Sequence, residues 1–126
     1  MEAVTLDELR ASLDRGGIAL LDVRSPQEFA GVSGYGCDPR QGHIAGARNL
    51  PLDELLACRC AEDVRALVGL PEGAEIVAYC HSGSRSAMAV QVLVAAGYDA
   101  RNYVGSWHEW SRDAALPAET GPPAQS

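Results

Sequence analysis

One stretch of the chain decides its fold: Glu75-Ile76-Val77-Ala78-Tyr79, then Cys80-His81-Ser82-Gly83-Ser84-Arg85, then the run from Ser86 to Gly97. The first piece is short, apolar and β-branched, which predicts a strand. The last piece is rich in alanine, has Gln91 as its one clearly polar interior residue and ends at a glycine, which predicts a buried helix. The stretch therefore predicts a strand, a six-residue loop and a helix, as in α/β folds.

The loop is in the position where open α/β folds place their functional sites. A turn from a strand into a helix lies at the carboxyl end of the sheet. The first backbone N–H groups of the following helix have no partner inside the helix, and the helix dipole adds positive charge behind them. We therefore expect a site that stabilises an anion at the centre of this loop.

Cys80 opens the loop, and its surroundings predict a reactive thiolate. A helix N-terminus and a nearby guanidinium, here Arg85, both lower the pKa of a thiol. Gly83 allows the backbone to curl with its N–H groups inward, while Ser82 and Ser84 are small and polar. A buried structural cysteine is the alternative for a lone thiol. The position of Cys80 at the start of this loop favours catalysis.

The sequence Cys-x-x-Gly-x-Arg after an apolar strand resembles the active-site loop of rhodanese-type sulfurtransferases. Three further segments resemble signatures of that family, in the same order, between about residue 18 and residue 121: Leu21-Asp22-Val23-Arg24 with Glu28-Phe29, Gly42 to Pro51, and Tyr103 to Trp110. The resemblance implies the rhodanese fold, an α/β domain with a mostly parallel five-stranded central sheet flanked by helices.

The resemblance implies a specific chemistry for the loop. The Cys80 thiolate would attack the outer sulfur of a donor such as thiosulfate, and the resulting persulfide would pass its sulfur to cyanide or to a thiol acceptor. The backbone N–H groups of residues 81–85 would stabilise the persulfide anion, and Arg85 would hold the loop and attract a dianionic donor. His81 would either add a hydrogen-bond donor or point to solvent. Neither a metal nor an organic cofactor is expected.

Three rival activities stay open at this point. The first is a 3-mercaptopyruvate sulfurtransferase, whose loop commonly reads Gly-Ser-Gly-Val-Thr after the cysteine; Arg85 stands where that loop has threonine, which favours thiosulfate. The second is a non-enzymatic persulfide carrier. The third is a phosphatase or arsenate reductase with a Cys–Arg loop, but those loops have five intervening residues, whereas four separate Cys80 from Arg85.

Three other polar residues are candidates for supporting roles. Asp22 and Arg24 end the strand predicted at residues 18–23, and we expect Asp22 to form a structural ion pair or to fix the turn. Arg24 would either face the pocket or hold the turn. Arg40 lies in the long Gly- and Pro-containing loop at residues 31–42, where it would either attract an anion to the pocket mouth or remain a solvated charge. His43 is interpreted as structural.

The composition limits the possible partners and the location. The 126 residues carry a formal net charge of −7, which argues against a nucleic-acid or anionic-membrane partner. We expect no transmembrane span, because no run of about 18 apolar residues is present. The first residues do not resemble a signal peptide, so a cytoplasmic protein with reduced thiols is expected. Cys58 and Cys60 form a close pair, but a zinc site would need two further ligands, and none lies nearby in the sequence. The two cysteines are therefore interpreted as surface or core thiols, with a resolving thiol for a Cys80 persulfide as the alternative.

The expected organisation is one domain over residues 1–115 and a disordered tail over residues 116–126. The domain resembles the catalytic C-terminal half of two-domain thiosulfate and 3-mercaptopyruvate sulfurtransferases. Either it works alone, or a partner domain or a second copy in a homodimer completes the pocket. Within the domain we predict helices at residues 6–14 and 61–70, a strand at residues 101–104, and a helix capped by Ser106 that buries Trp107 and Trp110.

Overall fold

The computed structural model describes residues 3–123, in which the chain alternates between strands and helices. These residues form seven strands, β1 to β7: Ala3–Val4, Ala19–Asp22, His43–Ile44, Arg48–Asn49, Glu75–Tyr79, Asp99–Tyr103 and Ala118–Glu119. The same residues form six helices, α1 to α6: Leu6–Arg15, Pro26–Ala30, Leu52–Leu56, Ala61–Val68, Ser84–Ala95 and Ser106–Trp110. Among these helices none is both long and apolar enough to cross a membrane.

Five of the strands form a parallel sheet in the order β1-β6-β5-β2-β4. This confirms the predicted α/β fold with a five-stranded parallel central sheet. β5 lies in the middle, and its last residue, Tyr79, pairs with Asp22 at the end of β2. The residues that follow these two strands therefore leave the sheet at the same carboxyl edge, as in other open α/β folds.

Each face of the sheet covers its own apolar core. Leu21 and Ala78 point to one core, which the helices α3, α4 and α5 cover. Leu20 and Val77, their neighbours along the strands, point to the other core with side chains from α1 and α6. This alternation follows from the two-residue period of a strand, and burial on both faces explains why the central residues of both strands are apolar.

The C-terminal segment corrects the predicted domain boundary. The predicted disorder from residue 116 onward is wrong for the described part of that segment, while residues 124–126 lie outside it. Leu116 is buried in the core shared with α6, and β7 pairs antiparallel with β3 in a second, two-stranded sheet. A single buried leucine beside a two-residue strand leaves little periodicity, so the polar, proline-rich composition misled the prediction.

Two helix starts also differ from the prediction, and both involve the site. The helix α5 begins at Ser84 rather than Ser86, so the last two loop residues, Ser84 and Arg85, belong to its first turn. Ser106 does not cap α6: it has a φ of 56°, and its Oγ donates to the carbonyl of Tyr103 while accepting from the backbone N–H of Cys80. The smaller shifts elsewhere are of one or two residues, as is usual at helix ends.

Candidate active site

Cys80 is the first residue after β5, and its sulfur is the centre of a ring of hydrogen-bond donors. The residue is 1% exposed. Its Sγ accepts the backbone N–H of Gly83 at 3.1 Å and that of Ser86 at 3.4 Å. The Ser86 hydroxyl donates to the same sulfur at 3.3 Å. Three donors at this distance favour the anionic form of the sulfur.

The pKa of Cys80 reflects a competition between burial and these donors. Burial raises the pKa of a thiol because it removes water from the thiolate, and this is the largest single influence here. The hydrogen bonds from Ser86, Gly83 and Ser82 together outweigh it, so the pKa of Cys80 lies below its ordinary value. A thiolate is the nucleophilic form of cysteine, so the loop favours the form of Cys80 that can act as a nucleophile.

Gly83 is the residue that allows the ring of donors to close. Its φ of 98° lies in the left-handed region that favours glycine. A Cβ at this position would lie 2.9 Å from the carbonyl oxygen of Val104 and 3.0 Å from its Cγ1. The carbonyl of Gly83 also accepts a hydrogen bond from the Asn102 side chain at 3.0 Å, which ties the loop to β6.

The start of α6 holds the loop from the other side. The backbone N–H of Cys80 donates to Ser106 Oγ at 3.1 Å, and the Cys80 carbonyl accepts from Trp107 N–H at 3.0 Å. The next carbonyl, that of His81, accepts from His108 N–H at 2.9 Å. These three hydrogen bonds fix the backbone on both sides of Cys80, so its sulfur stays aimed at the ring of donors.

Arg85 forms an ion pair with Glu28 of α2. Its two terminal nitrogens donate to the two carboxylate oxygens at 2.8 and 3.1 Å. Partial burial would raise the pKa of Glu28, but Arg85 and the backbone N–H of Ser25 lower it to about 2. The pair lies at the wall of an open depression of about 300 Å³, lined by Ser25, Glu28, Ser33, Gly34, Tyr35 and Arg85.

Asp22 and Arg24 form a buried ion pair behind the loop. Their side chains are 0% and 1% exposed, and the Arg24 guanidinium contacts both carboxylate oxygens, the closest at 2.7 Å. The same guanidinium donates to the carbonyl of Gly42 at 2.6 Å. Of the two roles considered for Arg24, the geometry matches holding the turn, because its donors are directed into the protein.

The hypothesis that Arg40 attracts an anion to the pocket mouth is wrong. Its guanidinium donates to four backbone carbonyls at the end of α6 and just beyond, those of Trp110, Ser111, Asp113 and Leu116. The last carbonyls of a helix lack partners within the helix, and a positive charge there is favourable. Arg40 is therefore a C-terminal cap, and four of its five N–H donors are directed at these carbonyls.

Comparison with known proteins agrees with the geometry. The sequence model of the rhodanese-like domain matches residues 5–113. The chain belongs to the rhodanese-like domain family. It is 37% identical over 117 residues to the putative thiosulfate sulfurtransferase SseB of Mycobacterium tuberculosis, covering 84% of this chain and 39% of that protein. This rhodanese-like domain thus spans about two fifths of the length of that relative.

Two further comparisons are with a protein of similar length and with a chain about twice as long. It is 36% identical over 114 residues to the human thiosulfate:glutathione sulfurtransferase, covering 85% of this chain and 90% of the human protein. A crystal structure of a probable thiosulfate sulfurtransferase is 45% identical, with a TM-score of 0.79, covering 93% of this chain and 47% of that one. The central sheet and its helices are therefore those of the rhodanese fold.

Sequence reasoning missed several residues around Cys80 in this rhodanese-like domain. The sequence predicts Ser86 only as the first residue of the helix. Its backbone N–H lies in the first turn of α5, where N–H groups have no partner within the helix, and it donates to the Cys80 sulfur. Ser106 was interpreted as a cap. Asp38 lies in the long loop at residues 31–42, and its Oδ2 is 2.9 Å from Nε2 of His81. Loop length was the one signal that this segment reaches the site.

The remaining residues that were considered lie away from the ring of donors. His43, in β3, stacks on Phe29 at 3.5 Å between ring centroids and has Nδ1 2.7 Å from the Phe29 carbonyl. Cys58 and Cys60 line a separate depression between α4 and α5 whose walls do not include Cys80. Among residues 3–123 all four cysteines are free thiols. The geometry gives the resolving-thiol hypothesis no support.

Proposed function

We propose that the domain transfers sulfane sulfur from thiosulfate to cyanide or to a thiol, with Cys80 as the nucleophile. One observation carries this proposal: the Cys80 sulfur accepts hydrogen bonds from Gly83 and from both donor groups of Ser86, and its pKa is lowered. The names of the relatives, which include thiosulfate sulfurtransferases and a thiosulfate:glutathione sulfurtransferase, support the same donor.

The reaction takes place in two displacements. The Cys80 thiolate attacks the outer sulfur of thiosulfate, a new S–S bond forms, and the old S–S bond breaks with its electron pair leaving on sulfite. The cysteine then carries a persulfide anion. An acceptor, cyanide or a thiolate, attacks the outer sulfur of this persulfide, and the Cys80 thiolate leaves unchanged. No external oxidant, reductant or base is needed in either step.

The loop would stabilise the persulfide more than the free thiolate. Ser84 and Arg85 occupy the first two positions of α5, where helical N–H groups have no partner within the helix. A second sulfur attached to Cys80 would carry the charge outward, toward these N–H groups and the positive end of the helix dipole. Preorganised donors of this kind act without reorganisation during the reaction.

The small radius of the ring supports sulfur transfer over phosphate chemistry. The backbone nitrogen of Gly83 lies 3.1 Å from the Cys80 sulfur, so the ring of donors closes around this single atom. Inserting one glycine after Ser84 should widen the ring and sharply reduce sulfur transfer.

The deciding experiment is an activity screen of donors against acceptors with the purified chain. We expect thiocyanate formation from thiosulfate and cyanide, and we expect Cys80→Ser to abolish it while circular dichroism shows an unchanged fold. Mass spectrometry after thiosulfate treatment should show one added sulfur in the wild type and none in this variant. Activity near the wild-type level in Cys80→Ser would refute the proposal. The matched control is a triple variant in which the other three cysteines, Cys37, Cys58 and Cys60, become serine; it should retain most turnover.

The choice between thiosulfate and 3-mercaptopyruvate depends on Arg85 in this proposal. Thiosulfate carries two negative charges on a compact group, so it gains more from a guanidinium than a monocarboxylate does. We expect a higher kcat/KM for thiosulfate, and we expect Arg85→Thr to reduce that preference. Rapid persulfide formation without turnover by any acceptor would instead identify a persulfide carrier. A donor ratio that Arg85→Thr leaves unchanged would refute the charge argument alone.

A further inference from the structure

Four side chains of metal-binding type meet beside the active-site loop. Cys37 and Asp38 come from the loop between α2 and β3, His81 follows the nucleophile, and His108 lies in α6. One potential ligand atom from each side chain lies within 4.8 Å of the others. The three segments are far apart in sequence, so their convergence is a property of the fold.

Two of the four side chains have buried polar atoms without hydrogen-bond partners. Oδ2 of Asp38 and Nε2 of His81 lie 2.9 Å apart, yet neither makes a hydrogen bond of acceptable geometry to any residue of the described range 3–123. The side chains are 1% and 11% exposed, respectively. Buried polar atoms nearly always have partners. A carboxylate oxygen and an imidazole nitrogen this close together would both be satisfied by a cation bound beside them.

The other carboxylate oxygen of Asp38 is already fixed by a second residue. Arg112 donates to Oδ1 at 3.0 Å and to the carbonyl of Cys37 at 2.9 Å. A carboxylate that binds a metal is commonly oriented by such an outer contact. Arg112 therefore holds the aspartate with Oδ2 free, and it also holds the backbone of the neighbouring cysteine in place.

We propose that Cys37, Asp38, His81 and His108 bind a divalent transition-metal ion of the zinc type. Thiolate, carboxylate and two imidazoles are ligands for Zn²⁺ rather than for Mg²⁺ or Ca²⁺, which prefer oxygen. Tetrahedral zinc with ordinary bond lengths separates its ligand atoms by roughly 3.3–3.6 Å. His81 Nε2 lies 2.9 Å from Asp38 Oδ2, while His108 Nδ1 and the Cys37 sulfur lie 3.5 and 3.9 Å from Oδ1 of the same carboxylate. Small side-chain rotations would bring all four groups to the distances of a zinc ion.

The charge and access of this site also suit a dication. The Cys37 thiolate and the Asp38 carboxylate together carry two negative charges, which match the charge of the ion, and binding releases the thiol proton to the buffer. Cys37 is exposed and the His108 side chain is 48% exposed, so an ion can enter from solvent. The buried pair, Asp38 and His81, lies on the side of the proposed site that faces the protein interior.

Occupancy would connect the site to the active-site loop. His81 follows Cys80 directly, and its ring also stacks on Tyr35 at 3.7 Å between centroids. An ion held by His81 would link the loop at residues 31–42 to the loop that carries the nucleophile. The proposal does not depend on the sulfur-transfer activity, because it rests on four side chains that the two displacements do not use as reactants.

The test is a titration of the full chain with Co²⁺ under a reductant that contains no thiol. Tetrahedral Co²⁺ gives intense visible bands, and a thiolate ligand adds a charge-transfer band in the near ultraviolet. We expect one ion per chain, displacement by Zn²⁺, and at least about tenfold weaker binding in both Cys37→Ser and His108→Ala. Cys37→Ser should also lose the charge-transfer band. Both residues are exposed, so the fold should survive, which urea unfolding can verify.

The matched control is the double variant Cys58→Ser with Cys60→Ser, which should bind Co²⁺ as tightly as the wild type. Loss of binding in this control, or in Cys80→Ser, would place the ion elsewhere and overturn the proposal. Undiminished binding in either Cys37→Ser or His108→Ala would do the same. No saturable binding by the wild type would mean that Asp38 and His81 form a plain ion pair.

Discussion

Ser86 places both its backbone N–H and its hydroxyl against the sulfur of Cys80, at 3.4 and 3.3 Å. The residue is fully buried. The hydroxyl can rotate its hydrogen toward the thiolate, whereas the N–H is fixed by the helix. This one residue therefore supplies two of the three donors to the Cys80 sulfur, and the two can be separated experimentally.

Replacing Ser86 by alanine should raise the pKa of Cys80, because the hydroxyl is lost while the backbone N–H remains. Hydrogen bonds to charged groups contribute about 1.5–3 kcal/mol, which corresponds to a shift of roughly one to two pH units. The measurement is the rate of alkylation by iodoacetamide as a function of pH. Ser84→Ala, in the same helical turn but with an exposed side chain, should not shift the profile. Identical profiles for Ser86→Ala and wild type would contradict this prediction.

The ion pair between Glu28 and Arg85 should weaken donor binding, because the carboxylate neutralises the guanidinium that we expect to attract thiosulfate. Glu28→Gln keeps the shape and can still accept from the backbone of Ser25. We expect a KM for thiosulfate that is roughly twofold to fivefold lower, since a partly exposed charge pair is worth up to about 1 kcal/mol. Glu54→Gln, an exposed change of equal charge, should leave KM unchanged. A higher KM in Glu28→Gln would show that the carboxylate positions Arg85 for binding.

The same ion pair should make stability depend on pH in the acid range. The pKa of Glu28 is lowered from 4.5 to about 2, chiefly because Arg85 and Ser25 outweigh the effect of burial. The ionised carboxylate therefore stabilises the fold above its ordinary pKa, and this contribution is lost as the pH falls from about 4.5 to about 2. We expect wild type to exceed Glu28→Gln in unfolding free energy by on the order of 1 kcal/mol at pH 7 and by less at pH 3. Urea unfolding at both values tests this, and an equal difference at both would count against it.

Gly83 should be intolerant of any side chain, for two separable reasons. Its positive φ makes alanine strained, and a Cβ would also crowd the carbonyl and side chain of Val104. Gly73 has a φ of 85° but nothing within 4 Å of its Cβ position, so Gly73→Ala carries the strain alone. We expect Gly83→Ala to be less stable than Gly73→Ala by about 1–2 kcal/mol and to form the Cys80 persulfide more slowly. Equal stability and persulfide formation in the two variants would refute the crowding.

The central part of the site could be predicted because its residues are consecutive. Cys80, Gly83 and Arg85 occur within six residues between a strand and a helix, and the local geometry of such a turn is known. The contacts that complete the site were not visible, because they join distant segments. Glu28 lies 57 residues from Arg85, and Ser106 lies 26 residues from Cys80. No periodicity or spacing in the sequence connects such pairs.

The charged side chains show the same limit. The ion pair of Asp22 with Arg24 spans two residues, and the sequence indicated the pairing as one of two possible roles. The direction of Arg40 depends on carbonyls about 70 residues further along the chain, at the end of α6. Those acceptors exist as a group only once the helix has formed and packed. An arginine in a long loop gives no local sign of such a partner.

The three hydrogen bonds between the start of α6 and the backbone at Cys80 and His81 have a consequence for protein engineering. The loop at residues 80–85, grafted onto another scaffold, would carry its own glycine and arginine but would lose the hydroxyl and N–H groups that anchor it. The transferable unit is therefore the loop together with the segment from Tyr103 to His108. Recombination between relatives should preserve function when the crossover points keep these two segments from the same parent.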